Sequence, residues 1–429
     1  MKEKDQVVII GGGWAGCGAA VAARKAGARV RLIERTDLLL GLGNVGGIMR
    51  NNGRFTAAEE NIALGADELF TLTDRLARHK NVDFPGHRHA SLYDVVKMEP
   101  CVRRFLEEAG IRLEMMSRVV DVEREGEAVK AVVLPEGKRI EGEVFVEATG
   151  STGPMGNCLT YGNGCCMCVL RCPAFGPRVS ITHKAGLEDL MGMRKDGGFG
   201  AFSGSCKLDP LSLSLQLQKE LKEKGVAVVK LPGEQIHREK LDLKVCQQYA
   251  LPAFAENLIL LDTGHVKLMT PFVPLEQLRR IEGFENARYI DPYGGGKGNS
   301  IRYLSVARRD DKMKVEGLEN LFCAGEKAGL FVGHTEAITT GSLAGFNAVR
   351  RLQGKALLQL PRELAAGDLI AYANSRLSSE EGIRDRYTFA GAAYFKRMEE
   401  KGLYSVDPLA IRKRVRDCGL EGVYGKSLL

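Results

Sequence analysis

Apolar residues follow three rhythms along this chain. Short continuous runs, Val7-Val8-Ile9-Ile10, Val30-Arg31-Leu32-Ile33, Val144-Phe145-Val146 and Leu321-Phe322-Cys323, read as strands buried on both faces. Ile62, Leu64, Leu69, Leu72 and Leu76 recur at helical spacing and predict a helix over 57–78. A second helical stretch over 92–109 is expected to break near Pro100 and to stop at Gly110. Short strands at 111–115, 119–124, 128–134 and from 139 onward predict an antiparallel meander, with Pro135-Glu136-Gly137-Lys138 as a turn.

The pattern changes between Ser151 and about Ser305, which reads as an inserted unit. Its clearest helix should start at Asp209 as N-cap with Pro210 at the first position and end at Gly225. Strands are expected at 226–231 and 258–261, with glycine loops at 197–200 and 293–300. The run at Leu321 resumes the earlier pattern, a helix follows over 336–352, and the remainder is helical by spacing. These elements specify an α/β protein: a Rossmann-like domain of βαβ plus antiparallel meander, an inserted α+β domain and a helical C-terminal tail. The expected boundaries are 1–154, 155–308, 309–358 and 359–429.

The first strand runs directly into Gly11-Gly12-Gly13-Trp14-Ala15-Gly16, a small-residue helix, and a second strand closed by Glu34. This is the dinucleotide fingerprint: Gly11 permits the tight turn, Gly13 the approach of a pyrophosphate, and Gly16 close helix–strand packing. Phosphates then meet the helix N-terminus, and Glu34 is placed for a ribose hydroxyl. Three further segments favour FAD over NAD. The meander ending in Ala148-Thr149-Gly150 resembles that of the two-dinucleotide-binding-domain flavoproteins, the late strand ends in Ala324-Gly325-Glu326 with an acid for ribityl hydroxyls, and a helix from Gly333-His334-Thr335-Glu336 has a positive end that suits a flavin ring. The expected cofactor contacts are Gly11, Gly13, Trp14, Ala15, Gly16, Glu34, Arg35, Val120, Thr149, Gly150, Gly325, Glu326, Gly333, Thr335 and Ala337. No second complete glycine fingerprint occurs between about 160 and 300, so a dedicated NAD(P)H domain is not expected.

Composition narrows the class only a little. The 429 residues are 44% hydrophobic and 27% charged, with 61 basic and 54 acidic residues giving a net charge of +7. That bias suits anionic ligands without selecting one. No apolar run is long enough for a membrane span, and the first strand begins too early for a signal peptide, so the expectation is a cytoplasmic protein. The basic run Ile411–Arg416 reads as a solvated helix face.

Five of the eleven cysteines fall at Cys158, Cys165, Cys166, Cys168 and Cys172, followed by Pro173. Thiolates of Cys158, Cys165, Cys168 and Cys172 on a glycine-flanked loop suit an Fe–S centre of [4Fe–4S] type. Zinc and a redox dithiol are the alternatives, as are incidental thiols. His334 and Lys297 are weak catalytic candidates, and Lys297 with Arg302 could hold an anion. No ligand role is read for His87 or His89.

The segments Phe284-Glu285-Asn286-Ala287-Arg288-Tyr289, Asn299-Ser300, Asn320–Glu326 and Glu336–Ala348 carry a family resemblance. They resemble the last third of the folate- and FAD-dependent tRNA uracil-5-methyltransferases and the glucose-inhibited division protein A family. The resemblance covers residues 1–50 and 284–350 and implies a flavin fold. Those families carry a cysteine soon after the first glycine loop, whereas Gly41 to Arg54 contains none. The reading is therefore an FAD-dependent oxidoreductase with a cysteine-ligated relay, acting on a small molecule or an electron-transfer protein. The alternatives are a folate- and FAD-dependent nucleic-acid methyltransferase and an electron-transfer or redox-sensing subunit. A homodimer is compatible with each.

Overall fold

The computed structural model describes residues 5–150, 175–202, 206–270, 273–290 and 301–429. Its largest sheet contains β1 (Asp5–Ile10), β2 (Val30–Ile33), β3 (Arg112–Glu114), β4 (Asp121–Glu125), β5 (Ala128–Val133), β6 (Arg139–Glu147) and β7 (Leu321–Cys323). The order is β3-β2-β1-β6-β5-β4, with β7 also paired to β6. Strands β3, β2, β1, β6 and β7 are parallel, which explains why β1 reads as an unbroken apolar run. Helix α1 (Trp14–Lys25) follows β1, and α2 (His334–Leu352) follows β7.

Two expectations about strands change here. The segments from 139 and from 144 form one strand, β6. Its residues 139–141 pair antiparallel with β5, and from Gly142 it runs parallel to β1. Residues 112–114 do not join the meander but lie parallel to β2 at the sheet edge. Three residues are too few to reveal direction, and the preceding helix Val95–Glu108 supplies the crossover that a parallel partner requires.

The helix expected over 57–78 is two helices, Gly53–Leu64 and Glu68–Arg75, parted where Gly65 takes φ +93°. A hairpin of Ala77–Phe84 and His87–Tyr93 follows, turning at Pro85-Gly86 with Gly86 at φ +76°. The helix Val95–Glu108 continues through Pro100, where a break or kink was expected, and the chain leaves it at Ala109-Gly110 as expected. The proline faces solvent, while Met98 and Val102 beside it are buried. Asp209 caps only the short turn Pro210–Ser212; Ser214 then caps the helix Leu215–Lys224, which ends at Gly225 as expected.

In the inserted region a four-stranded antiparallel sheet runs Cys206–Leu208, His265–Leu268, Asn257–Thr263, Val226–Lys230. Its central strand is buried on both faces, so its residues alternate between two cores. Leu258 and Leu260 pack in a cluster with Leu217 and Leu221 of the helix. Ile259 and Leu261 pack with Val82, Phe84, Ala90 and Leu92 of the hairpin. The hairpin thus belongs, by packing, with the insert.

C-terminal helices Ala365–Arg376, Ala392–Glu400 and Pro408–Asp417 match the helical expectation. The first docks its N-terminus on buried Glu60, whose carboxylate accepts from Ala365 N at 2.8 Å and Ala366 N at 2.9 Å. Burial raises the Glu60 carboxyl to about 7, against the lowering effect of those N–H groups and of Arg414. A raised acid stabilises the fold below its unfolded pKa, and that stabilisation is lost as pH rises through about 7. Relative to Glu60→Gln, the wild-type chain is expected to lose on the order of 3 kcal/mol between pH 4.5 and 8. Urea unfolding of both proteins across that range checks this, and parallel profiles would refute it.

Candidate functional site

Glycines bring the two long helices together. Any Cβ at Gly341 would overlap the carbonyl oxygen of Ala15, and one at Gly345 that of Ala19. Gly18 in turn leaves room for the Ile338 backbone, where a Cβ would sit 3.1 Å from its oxygen. The pairs Ala15–Gly341 and Ala19–Gly345 step up both helices together, so α1 and α2 run parallel, and their N-termini meet at the C-terminal ends of the parallel strands. That is where ligands bind in open α/β sheets. Neither N-terminus has a side-chain cap: Gly13 precedes α1 and Gly333 precedes α2. Both leave N–H groups directed at the space between them.

That space is a cleft of about 1630 Å³, open volume included, and the sheet, both helix starts and the insert line it. Of the expected contacts, Gly11, Gly13, Trp14, Ala15, Glu34, Arg35, Thr149, Gly150, Gly325, Glu326, Gly333 and Ala337 all line it. The three glycines differ in their surroundings. Gly11 takes φ +103° in the turn, and a Cβ at Gly13 would meet nothing within 4 Å. A Cβ at Gly16 would overlap the Gly11 carbonyl, so Gly16 serves packing behind the cleft and does not line it. Glu34 accepts from Gly12 N at 2.7 Å and from Thr36 N at 2.8 Å, which fixes its carboxylate at the cleft wall.

Two other expected contacts are displaced. Val119 lines the cleft in place of Val120, which donates its N–H to Val133 in the meander. A one-residue shift in extended chain reverses the side-chain direction. Thr335 is buried behind the cleft, where its hydroxyl approaches Met49 Sδ at 3.6 Å.

At the α2 end stands His334, beside Trp14 and Tyr93 with ring centroids 6.2 and 6.0 Å away. A Cβ at Gly46 would occupy the place of the His334 ring, so that loop must carry glycine there. Behind His334, Arg54 is buried and paired with buried Glu336 at 3.0 Å. Arg54 also donates to Val332 O at 2.8 Å, Asn51 Oδ1 at 3.0 Å and Thr388 Oγ1 at 3.1 Å. Burial opposes its charge, but Glu336 outweighs it with help from Tyr249, and the guanidinium pKa is raised. The opposite wall comes from the insert: Cys246, Gln248, Tyr249, Lys267 and Met269. Lys267 is buried and donates to Val45 O at 2.8 Å, tying the insert to the glycine loop. Burial raises the Tyr249 phenol, with Arg54 acting against it.

Sequence reasoning did not single out Arg54, Tyr93, Gln248, Tyr249, Lys267 or Met269 for this site. None stands in a motif; they converge only because the hairpin and the insert pack together. Their one legible signal was Asn51-Asn52-Gly53-Arg54, a polar cluster directly after a glycine loop.

Lys297 and Cys158, Cys165, Cys166, Cys168 and Cys172 lie outside the described residues, as does the side chain of Arg302. Among the described residues, no group of three His, Cys, Asp or Glu side chains is placed to hold a metal ion. His87 is buried between Asn51 and the Gln248 carbonyl, and burial lowers its pKa to about 3. His89 bonds Asn81 at 3.1 Å on the exterior. No helix among the described residues is long and apolar enough to cross a membrane.

The parallel sheet, the glycine turn and the cleft at the two helix starts form a Rossmann-like dinucleotide-binding fold. A profile for FAD dependent oxidoreductases matches residues 6–153, and one for glucose inhibited division protein A matches residues 263–356. Over these two segments the chain is similar to flavoproteins of both kinds. It is 37% identical over 95 residues to a tRNA uridine 5-carboxymethylaminomethyl modification enzyme of Chlorobaculum tepidum. It is 36% identical over 95 residues to a methylenetetrahydrofolate–tRNA-(uracil-5-)-methyltransferase of Natranaerobius thermophilus. Each match covers 22% of this chain, and only 14% and 21% of those two enzymes. In fold it resembles Aquifex aeolicus GidA, with TM-score 0.70 at 18% identity over 99% of this chain and 74% of that one. It also resembles CtdE, solved in complex with FAD, with TM-score 0.51 at 13% identity over 97% of this chain and 99% of that one.

Proposed function

We propose that the cleft binds FAD in extended form and that the chain is an oxidoreductase working through it. The observation that carries this reading is one continuous cleft joining two uncapped helix N-termini. The start of α1 suits a pyrophosphate, with Gly13 open to it, and Glu34 suits a ribose. Gly325 and Glu326 stand between the two helix starts and suit the ribityl chain. Bound FAD would supply hydride and single-electron chemistry at its isoalloxazine ring. The N-terminus of α2 favours negative charge beside it, and the Arg54–Glu336 pair holds that N-terminus in place. The insert wall of Cys246, Gln248, Tyr249, Lys267 and Met269 closes the ring end to water and is the face left for a substrate.

Trp14 is the only tryptophan of the chain, is 2% exposed and lines the cleft. Titrating flavin-free protein with FAD is expected to quench its emission saturably, with about one FAD per chain, and Gly13→Glu should abolish both effects. Saturable binding with unchanged emission would place the cofactor elsewhere.

The cysteine run supports a relay that passes single electrons between flavin and a partner. It begins eight residues beyond Gly150, which lines the cleft. Anaerobic purification should then yield about four irons per chain, as a [4Fe–4S] centre requires. Zinc in place of iron would make the site structural. A second reading, modification of tRNA uracil, is supported by the named activities of the sequence relatives. It calls for copurifying RNA and salt-sensitive tRNA binding, since phosphate contacts are screened by salt.

A further inference from the structure

The ring of Tyr249 is clamped where the insert meets the hairpin. Its centroid lies 4.7 Å from that of His87, 5.6 Å from Phe254 and 6.4 Å from Phe84. With the ring body fixed in that core, the hydroxyl is the end that reaches the cleft, whose wall Tyr249 and Arg54 share. Arg54 Nη1 donates to the phenol oxygen at 3.5 Å. A guanidinium has donors only, so this contact leaves the phenol proton unused. Among the described residues no acceptor stands within hydrogen-bond reach of that proton.

Arg54 also fixes where along the cleft this hydroxyl stands. The guanidinium donates to Val332 O at 2.8 Å, and a Cβ at Gly333 would meet its Nη2 atom. Val332 and Gly333 directly precede α2, so the Tyr249 hydroxyl stands beside the uncapped start of that helix. Burial raises the phenol against the lowering effect of Arg54, and the proton stays on the oxygen at neutral pH. Accepting from a cation polarises the phenol and strengthens its own donation.

The positive end of α2 suits the N1/O2 edge of a flavin, where reduction places negative charge. We propose that the Tyr249 O–H donates to the C2 carbonyl oxygen of the flavin, which makes Tyr249 a cofactor-contacting residue that favours the reduced ring. A hydrogen bond to the reduced anion is charge-assisted and roughly twice as strong as one to the neutral oxidised ring. The assignment rests on the proposed function, and it gives the insert a part in holding the flavin as well as in facing a substrate.

The test compares the full chain, wild type and Tyr249→Phe, loaded with FAD carrying ¹³C at C2 and C4. Tyr249→Phe keeps the ring that packs in the core and removes only the hydroxyl. It is expected to move the C2 resonance upfield, as a carbonyl does on losing a hydrogen bond, and to leave C4 in place. Oxidised FAD should bind about threefold more weakly and reduced FAD about thirtyfold. The tenfold difference lowers the two-electron potential by about 30 mV, read by reductive titration against a reference dye. The same C2 resonance and the same potential in both proteins overturn the proposal. A change at C4 alone puts the hydroxyl at the other edge of the ring and overturns it too, with the cofactor reading intact. A wild-type chain that takes up no FAD fails the cofactor reading, and this assignment falls with it.

Discussion

Gly345→Leu is expected to cost more than about 3 kcal/mol of stability and to eliminate FAD binding, with Gly341→Leu behaving alike. The obstacle at both positions is backbone: a Cβ would overlap the carbonyl oxygen of Ala19 or Ala15 inside α1. Backbone carbonyls in a helix cannot swing aside as a side chain can, so the helices must separate. Separation also parts the two N-termini that form the cleft, and stability and binding fall together. Gly233→Leu is the control, because a Cβ there meets nothing within 4 Å. Urea unfolding and FAD titration of the three variants decide the matter. Near wild-type midpoints for Gly341→Leu and Gly345→Leu would show that the helices are not locked by these contacts.

Arg54→Met is expected to lose about 3–5 kcal/mol, the cost of leaving a buried carboxylate unpaired. Glu336 is fully buried, and besides Arg54 it accepts from Thr388 Oγ1 at 2.7 Å and Phe389 N at 2.8 Å. Those two bonds cannot replace the neutralising charge. Arg54→Lys should recover little, because the guanidinium reaches five different partners with a fixed fork that an ammonium lacks. The double variant Arg54→Met with Glu336→Leu removes both charges and should be more stable than Arg54→Met alone. A double-mutant cycle in urea measures the coupling, and purely additive losses would rule out a coupled pair.

The cleft was legible in sequence wherever it is built from local turns. Gly11, Gly13 and Glu34 stand at spacings that a βαβ unit imposes, and Gly333 precedes a helix whose periodic face is plain. Val119 lines the cleft where Val120 was expected to, because alternation in a short segment leaves its phase open. The hairpin from Ala77 to Tyr93 was missed for a related reason. Its first strand, Ala-Arg-His-Lys-Asn-Val-Asp-Phe, is largely exposed and shows little apolar alternation, and its pairing is interrupted by register shifts.

Residues that act through long-range packing were not legible at all. Arg54 and Glu336 are 282 positions apart, and Tyr93 and His334 are 241 apart. Nothing local marks a charge that will be buried or a phenol that will meet a distant imidazole. The chain's local patterns therefore determined the dinucleotide unit, the interruption after Gly150 and the return at Leu321, because turns, caps and apolar runs are short-range physics. Which side chains face the cleft beside the start of α2, and with which partners, was decided only when the insert and hairpin packed beside it. That outcome depends on desolvation and on partners contributed by distant segments, which no stretch of sequence contains.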